Sequence, residues 1–121
     1  MDKINTGLIG FGTGGSIFHA PIISSIPHFN LAMISTANEK SASTAQSLYP
    51  TTRIVSDPAT LINDPSIELV IIATPNSAHF ELARKALVKG KQVVVEKPFT
   101  INSAQADTLI DLADSKQQII T

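Results

Sequence analysis

Near the amino terminus an apolar run ending Leu8-Ile9 stops at Gly10-Phe11-Gly12-Thr13-Gly14-Gly15. Glycines at 10, 12 and 15 satisfy the spacing G-x-G-x-x-G, a weak pattern when it stands alone. Context gives it physical content, because here it closes a strand-like stretch and opens a helical one. In that setting Gly10 would allow the tight turn, and Gly12 would let the backbone come close to a pyrophosphate. Gly15 would permit close packing of helix on strand. Amides freed at the helix start, aided by the helix dipole, would then hold the phosphates. Phe11, Thr13 and Gly14 join the same candidate ligand-binding turn. The bland alternative is a glycine turn that holds nothing, and the strand-to-helix context counts against it. Pro21 interrupts a simple helix after the turn, so one turn over 14–19 and a second piece from Ala20 are expected.

Apolar runs alternate with longer amphipathic stretches along the rest of the chain, the pattern of a parallel sheet covered by helices on both faces. The expected strands are 6–10, 31–36, 52–55, 69–73, 92–96 and 118–121. Four of them are nearly continuous apolar runs, as suits strands buried on both faces. Asp57-Pro58 reads as an N-cap followed by proline in the first helical position. A second helix follows Asn76 and Ser77 and runs to about Lys89, with Gly90 as its left-handed C-cap. Asn102, with Gln105 three residues later, resembles a capping box opening a helix to about Lys116. On that helix Ala106, Leu109, Ile110 and Ala113 are expected to face the sheet. The fold class is therefore α/β, a doubly wound parallel sheet of about six strands in the order 3-2-1-4-5-6. Right-handed crossovers bring every strand's carboxyl end to one edge.

Composition removes whole classes of function. The 121 residues suffice for one domain with a real core. A formal net charge of −1 leaves no basic face for nucleic acid. No apolar run approaches the roughly 20 residues that span a bilayer, so no membrane partner is expected. The absence of cysteine excludes disulfides, zinc-thiolate sites and thiol nucleophiles. Ligands for a metal do not converge at a suitable spacing, and no nucleophile elbow of a serine hydrolase occurs. The start, Met1-Asp2-Lys3-Ile4-Asn5, lacks signal-peptide architecture, which places the chain in the cytoplasm as an expectation.

The remaining strand ends carry the chemistry. A ribose-binding Asp or Glu is expected about 20 residues beyond the glycines, where Thr36 stands instead. Ser35, Thr36 and Asn38 offer only neutral hydrogen bonds, and Glu39 comes late. No carboxylate repels a 2′-phosphate there, which favours NADP over NAD, although no arginine adjoins to bind it. The same residues could equally cap a helix. The fourth strand ends in Ala73-Thr74-Pro75-Asn76 and the fifth in Glu96-Lys97-Pro98, both at the edge that holds the glycine turn. An ammonium at Lys97 could bond a nicotinamide ribose and polarise a substrate alcohol or carbonyl. Beside an oxidised nicotinamide its pKa would fall, since like charge disfavours protonation. A lysine at a solvated strand end is the plain alternative. Among the histidines, His19 suits either the phosphate side or helix-entry packing, His79 is a cleft candidate, and His28 reads as a surface loop residue.

Together, Gly10–Gly15 with Phe18-His19-Ala20-Pro21, then Ala73-Thr74-Pro75-Asn76-Ser77-Ala78-His79, then Glu96-Lys97-Pro98, resemble the glucose–fructose oxidoreductase/inositol dehydrogenase family (Gfo/Idh/MocA). The likeness covers the whole chain in order and spacing. The Phe-His-Ala-Pro element resembles the branch containing NADP-linked scyllo-inositol dehydrogenases. The resemblance implies an NAD(P)-dependent oxidoreductase that transfers a hydride between nicotinamide and a sugar or polyol. It implies that Lys97 is the lysine beside nicotinamide and substrate, and that Thr74, Pro75, Asn76 and His79 line the cofactor cleft. It also implies a second, sheet-rich domain that holds the substrate and supplies the proton-transferring group. Residues 1–121 are then expected to be the dinucleotide-binding domain of a two-domain enzyme, inactive alone because hydride transfer needs the reacting carbon and an acid or base in reach. The whole enzyme is expected to be a homo-oligomer, and the face where the second domain docks could make this chain self-associate. Two other classes compete: a redox-sensing binding module without catalysis, and an S-adenosylmethionine methyltransferase. The latter predicts an acidic residue ending the second strand and gives no reason for Glu96-Lys97-Pro98.

Overall fold

The sheet forms where the sequence runs apolar on both sides of the backbone. In the computed structural model, which describes residues 3–11, 20–74, 76–95, 103–118 and 120, five strands and five helices alternate. In chain order these are β1 (Ile4–Ile9), α1 (Ala20–Ser25), β2 (Phe29–Ser35), α2 (Glu39–Leu48), β3 (Arg53–Val55), α3 (Pro58–Asn63), β4 (Leu69–Ile72), α4 (Asn76–Val88), β5 (Gln92–Val95) and α5 (Ser103–Ser115). All strand pairs are parallel and the order is β3-β2-β1-β4-β5. The sixth position is marked by one isolated parallel bridge from Val93 to Ile120. Gln118, expected to begin that strand, instead closes the end of α5 through its amide on the Ala113 carbonyl. Residues 119 and 121 lie outside the described ones.

Successive side chains of a strand point to opposite faces, and both faces are apolar. On one, Ile9, Val70, Ile72, Val93 and Val95 pack under α3, α4 and α5 through Leu61, Ile62, Ala83, Leu87 and Leu109. On the other, Leu8, Leu31, Ile34 and Ile71 pack under α1 and α2 through Ala20, Ile23 and Ala45. Each such Leu or Ile contributes about 1.5–3 kcal/mol by leaving water. The helix ends expected at Asp57 and Gly90 hold, whereas α4 already begins at Asn76, ahead of its expected start. Asp57 accepts from the Ala59 amide ahead of Pro58. Gly90, at φ +85°, ends α4 with its own amide on Leu87 and that of Lys91 on Ala86. Asn102 falls outside the described residues. Ile110 is a correction: it is 46% exposed, while Leu109 and Ala113 are buried with Leu112 against them. At 100° per residue, Ile110 is turned too far from Leu109 to share its face.

Two features at and near the amino edge escaped the sequence pattern. Gly7 lies where the β1–β2 register slips, and a Cβ there would meet the Leu61 side chain at 2.5 Å. Its missing side chain lets α3 sit close on β1. Lys91 is buried, donating from Nζ to the carbonyls of Asp64 (2.6 Å) and Ile67 (2.7 Å). Loss of solvent holds its ammonium below the ordinary lysine pKa, against the opposing pull of the Asp64 charge. It pins the loop between α3 and β4 to the start of β5.

Candidate functional site

At the carboxyl edge the ladders run one residue past the strands. The Gly10 amide donates to Ser35 (2.8 Å), Ala73 to Ile9 (2.9 Å) and Thr36 to Val55 (2.9 Å). Strand ends β3, β2, β1 and β4 are thus held level, as a parallel sheet requires for a common edge. Gly10 has φ +96°, a conformation that side-chain-bearing residues rarely adopt. A Cβ on it would meet the Ala73 carbonyl oxygen at 2.9 Å and Thr74 Cγ2 at 3.2 Å. The bare backbone at Gly10 therefore makes a cradle beside the end of β4 that a larger residue would fill.

This edge opens into a cleft of about 660 Å³. Its walls are Ile9, Gly10 and Phe11 after β1, Ser35 to Asn38 after β2, and Ser56 after β3. Ala73 and Thr74 follow β4, while Ser41, Pro58, Glu81 and Leu82 come from the helices. The predicted residues Gly10, Phe11, Ser35, Thr36, Ala73 and Thr74 are therefore brought together. Among the described lining residues the only charged side chain is Glu81, whose carboxylate is held by Arg84 at 2.9 Å.

The individual groups differ in what they have left to offer. The ring of Phe11 is buried and meets Tyr49 edge to face at 6.3 Å, so the cleft receives its backbone. Ser35 is buried, and its carbonyl is engaged by Gly10. Thr36 accepts from the Asn38 amide, while Asn38 caps α2 through Oδ1 on the Ser41 amide (2.9 Å). The capping alternative for Asn38 is thus realised at the cleft wall. Among the described residues Thr74 Oγ1, which is buried, has no hydrogen-bond partner. An unpaired buried hydroxyl costs about 1–3 kcal/mol, and together with the Gly10 cradle it fits a site completed by a ligand.

His79 departs from its expected place. It is buried to 1% exposure and does not line the cleft; its Nε2 lies 2.6 Å from the Thr74 carbonyl. A carbonyl can only accept, so Nε2 carries the hydrogen, and the imidazole fastens the turn after β4 from beneath. Asn76 is the first residue of α4. His28 is exposed, as its loop position predicts. Gly12, Thr13, Gly14, Gly15, His19, Pro75, Glu96, Lys97 and Pro98 lie outside the described residues.

Sequence reasoning missed Ser41, Ser56, Pro58, Glu81 and Leu82. The rule that ligands bind beyond strand carboxyl ends reaches Ser56, which directly follows β3. Glu81 and Leu82 sit more than a turn inside α4, where no local signal marks them. Among the described residues no three metal-ligating side chains cluster, and no helix is long and apolar enough to cross a membrane.

The comparisons agree with this geometry. Residues 4–121 match the Gfo/Idh/MocA family, described as an oxidoreductase family with an NAD-binding Rossmann fold. The chain is 45% identical over 99% of its length to the uncharacterized oxidoreductase YdgJ of Escherichia coli, covering 34% of that protein. It is 32% identical over its whole length to scyllo-inositol 2-dehydrogenase (NADP(+)) IolW of Bacillus subtilis, covering 33% of it. A crystal structure of a protein assigned to the oxidoreductases from Bacteroides fragilis superposes with a TM-score of 0.94 at 41% identity, over all of this chain and 37% of that one. The chain thus spans about a third of the length of the curated relatives it matches. With this sheet order, glycine cradle and cleft, the chain belongs to the Gfo/Idh/MocA oxidoreductase family, as its NAD(P)-binding Rossmann domain.

Proposed function

We propose that this domain serves an NADP-preferring oxidoreductase that moves a hydride between nicotinamide and a sugar or polyol, with an inositol-type substrate favoured. The single observation that carries the cofactor part is the Gly10 cradle against Ala73 and Thr74, opening on a cleft of dinucleotide scale. Gly10 and the amides of the following turn would meet the pyrophosphate, and Thr36 with Asn38 the adenosine ribose. The bound nicotinamide supplies the hydride acceptor or donor. His79 holds the turn after β4 at its height, keeping Thr74 at the cleft wall. Lys97, two residues after β5 in sequence, is our candidate to hold and polarise the substrate oxygen.

NADP is favoured because the wall after β2 offers Thr36, Asn38 and Ser41 to a 2′-phosphate, while Glu39, the carboxylate that follows them, lines the neighbouring pocket instead of this cleft. The B. subtilis relative's name carries NADP(+), in the same direction. The substrate class follows from that relative and from the family. Transfer then requires a second domain to position the reacting carbon. Cytoplasmic location and a homo-oligomeric whole enzyme complete the reading.

Titration with NADPH and NADH tests the cofactor assignment directly. NADPH should bind at least about tenfold tighter, the equivalent of one modest charge-assisted contact. Equal affinity, or a preference for NADH, would overturn it. Steady reduction of a polyol-derived ketone by the 121-residue chain alone would overturn the assignment of the remaining chemistry to a second domain.

A further inference from the structure

The cleft has two chemically different ends. Beside Gly10 and Phe11 it presents backbone. Its apolar side chains include Pro58 of α3 and Leu82 of α4, which also share the groove between those two helices. If the pyrophosphate lies at the glycine turn, the adenosine ribose reaches the end of β2. The base must then continue toward Pro58 and Leu82, where apolar side chains suit the flat faces of a purine.

Glu81 lies next to Leu82 in this wall and is the cleft's only charged lining group among the described residues. Arg84 holds both of its oxygens, Nη2 to Oε2 at 2.9 Å and Nε to Oε1 at 3.3 Å. That contact, chiefly by hydrogen bonding, keeps the carboxyl below its ordinary pKa, so it is ionised at neutral pH. An ionised carboxylate can only accept hydrogen bonds. In a cleft that receives phosphates it is a liability unless it faces a donor. The ribose hydroxyls would meet neutral partners at the end of β2. The donor left on an adenine nucleotide is the exocyclic amine of the base.

We propose that Glu81 is the specificity-determining residue for the base: its carboxylate accepts from the 6-amino group of adenine and repels a 6-oxo purine. The inference rests on the dinucleotide reading of the cleft given above. Arg84 has a defined part in it, offsetting the carboxylate's charge toward the phosphates while fixing its direction.

The test is calorimetric titration of the chain with NADPH and with its 6-oxo counterpart, reduced nicotinamide hypoxanthine dinucleotide phosphate. The parent chain should bind the adenine form about tenfold tighter, the scale of one hydrogen bond to a charged group. In Glu81→Gln the ratio should fall to near one, because a carboxamide can turn either its oxygen or its amine to the base. Glu81 is exposed, so the variant should unfold with the parent's midpoint. A parent ratio near one, or an undiminished ratio in Glu81→Gln, would overturn the assignment of Glu81 while leaving the dinucleotide reading intact. Failure of the parent to bind either form would overturn the dinucleotide reading itself, and this inference with it.

Discussion

The two edges of one parallel sheet have been put to opposite uses. At the amino edge most polar groups are consumed by each other, Gln118 Oε1 being the buried exception among the described residues. Lys91 reaches two carbonyls, its own carbonyl accepts from Gln118, and Asn5 bonds both Glu68 and Asn30. At the carboxyl edge the backbone is tied level by three ladder bonds, but among the described residues Thr74 Oγ1 is left without a partner and Gly10 leaves a space. In a parallel sheet all strands enter at one edge and leave at the other. Polar groups on the leaving side therefore converge on one cleft, where a ligand can use them. Stability is concentrated at one edge and recognition at the other, and substitutions can test how cleanly they separate.

The largest effect is expected at Gly10. Gly10→Val places a side chain on backbone at φ +96° and drives it into the Ala73 carbonyl. NADPH affinity should fall by at least about a hundredfold, or ~2.7 kcal/mol. Folding should weaken by about 1–3 kcal/mol, the cost of a non-glycine residue in that region. Titration and urea unfolding read the two numbers separately. Affinity close to the parent's would mean that the carboxyl edge is not organised around this close approach.

Lys91→Met probes the opposite edge. Two buried carbonyls lose their donor, so stability should fall by about 2 kcal/mol. NADPH affinity should stay within about twofold, since the sites are far apart and share no partner. A pH series sharpens the test. The folded pKa of Lys91 lies below its ordinary 10.5 because of burial. Between those two values the unfolded chain binds more protons, so this group adds stability as pH rises toward 10.5. Lys91→Met should lack that rise. A large loss of NADPH affinity in the variant would break the separation of the edges.

The smallest effect concerns Asp64, whose carboxyl is held below its ordinary 3.8 by the Ser66 hydroxyl and then the Ser66 amide. Its contribution is present above pH 3.8 and is lost as pH falls through the lower folded value. Ser66→Ala should therefore lower stability slightly above pH 3.8 and converge with the parent as pH falls below it, which flattens the acid limb of the unfolding curve. An unaltered acid limb would show that the hydroxyl contributes nothing there.

Much of this arrangement was legible from local chemistry. The positive φ at Gly10, the cap at Asp57-Pro58 and the left-handed stop at Gly90 each depend on a few neighbouring residues. Doubly apolar strands announced a sheet covered on both faces. The cleft was legible where it follows strand ends, at Thr36, Ala73 and Thr74. It was illegible at Glu81 and Leu82, which reach it only because α4 folds back beside β4. His79 shows the same limit. Its spacing put it near the cleft, yet only packing decided that its imidazole lies beneath the turn and bonds the Thr74 carbonyl.

By itself the sequence determined the order of elements, the apolar faces and the left-handed backbone at Gly10, because periodicity, capping and φ preference act over a turn or two of chain. Tertiary structure alone decided that Gly7 is bare to admit Leu61, and that Lys91 is spent on Asp64 and Ile67. It also decided that the Ser35 carbonyl is taken by Gly10 while Thr74 Oγ1 is left over among the described residues. Those outcomes depend on which distant groups arrive beside each residue, and a polar atom's availability is settled only when its neighbours are in place.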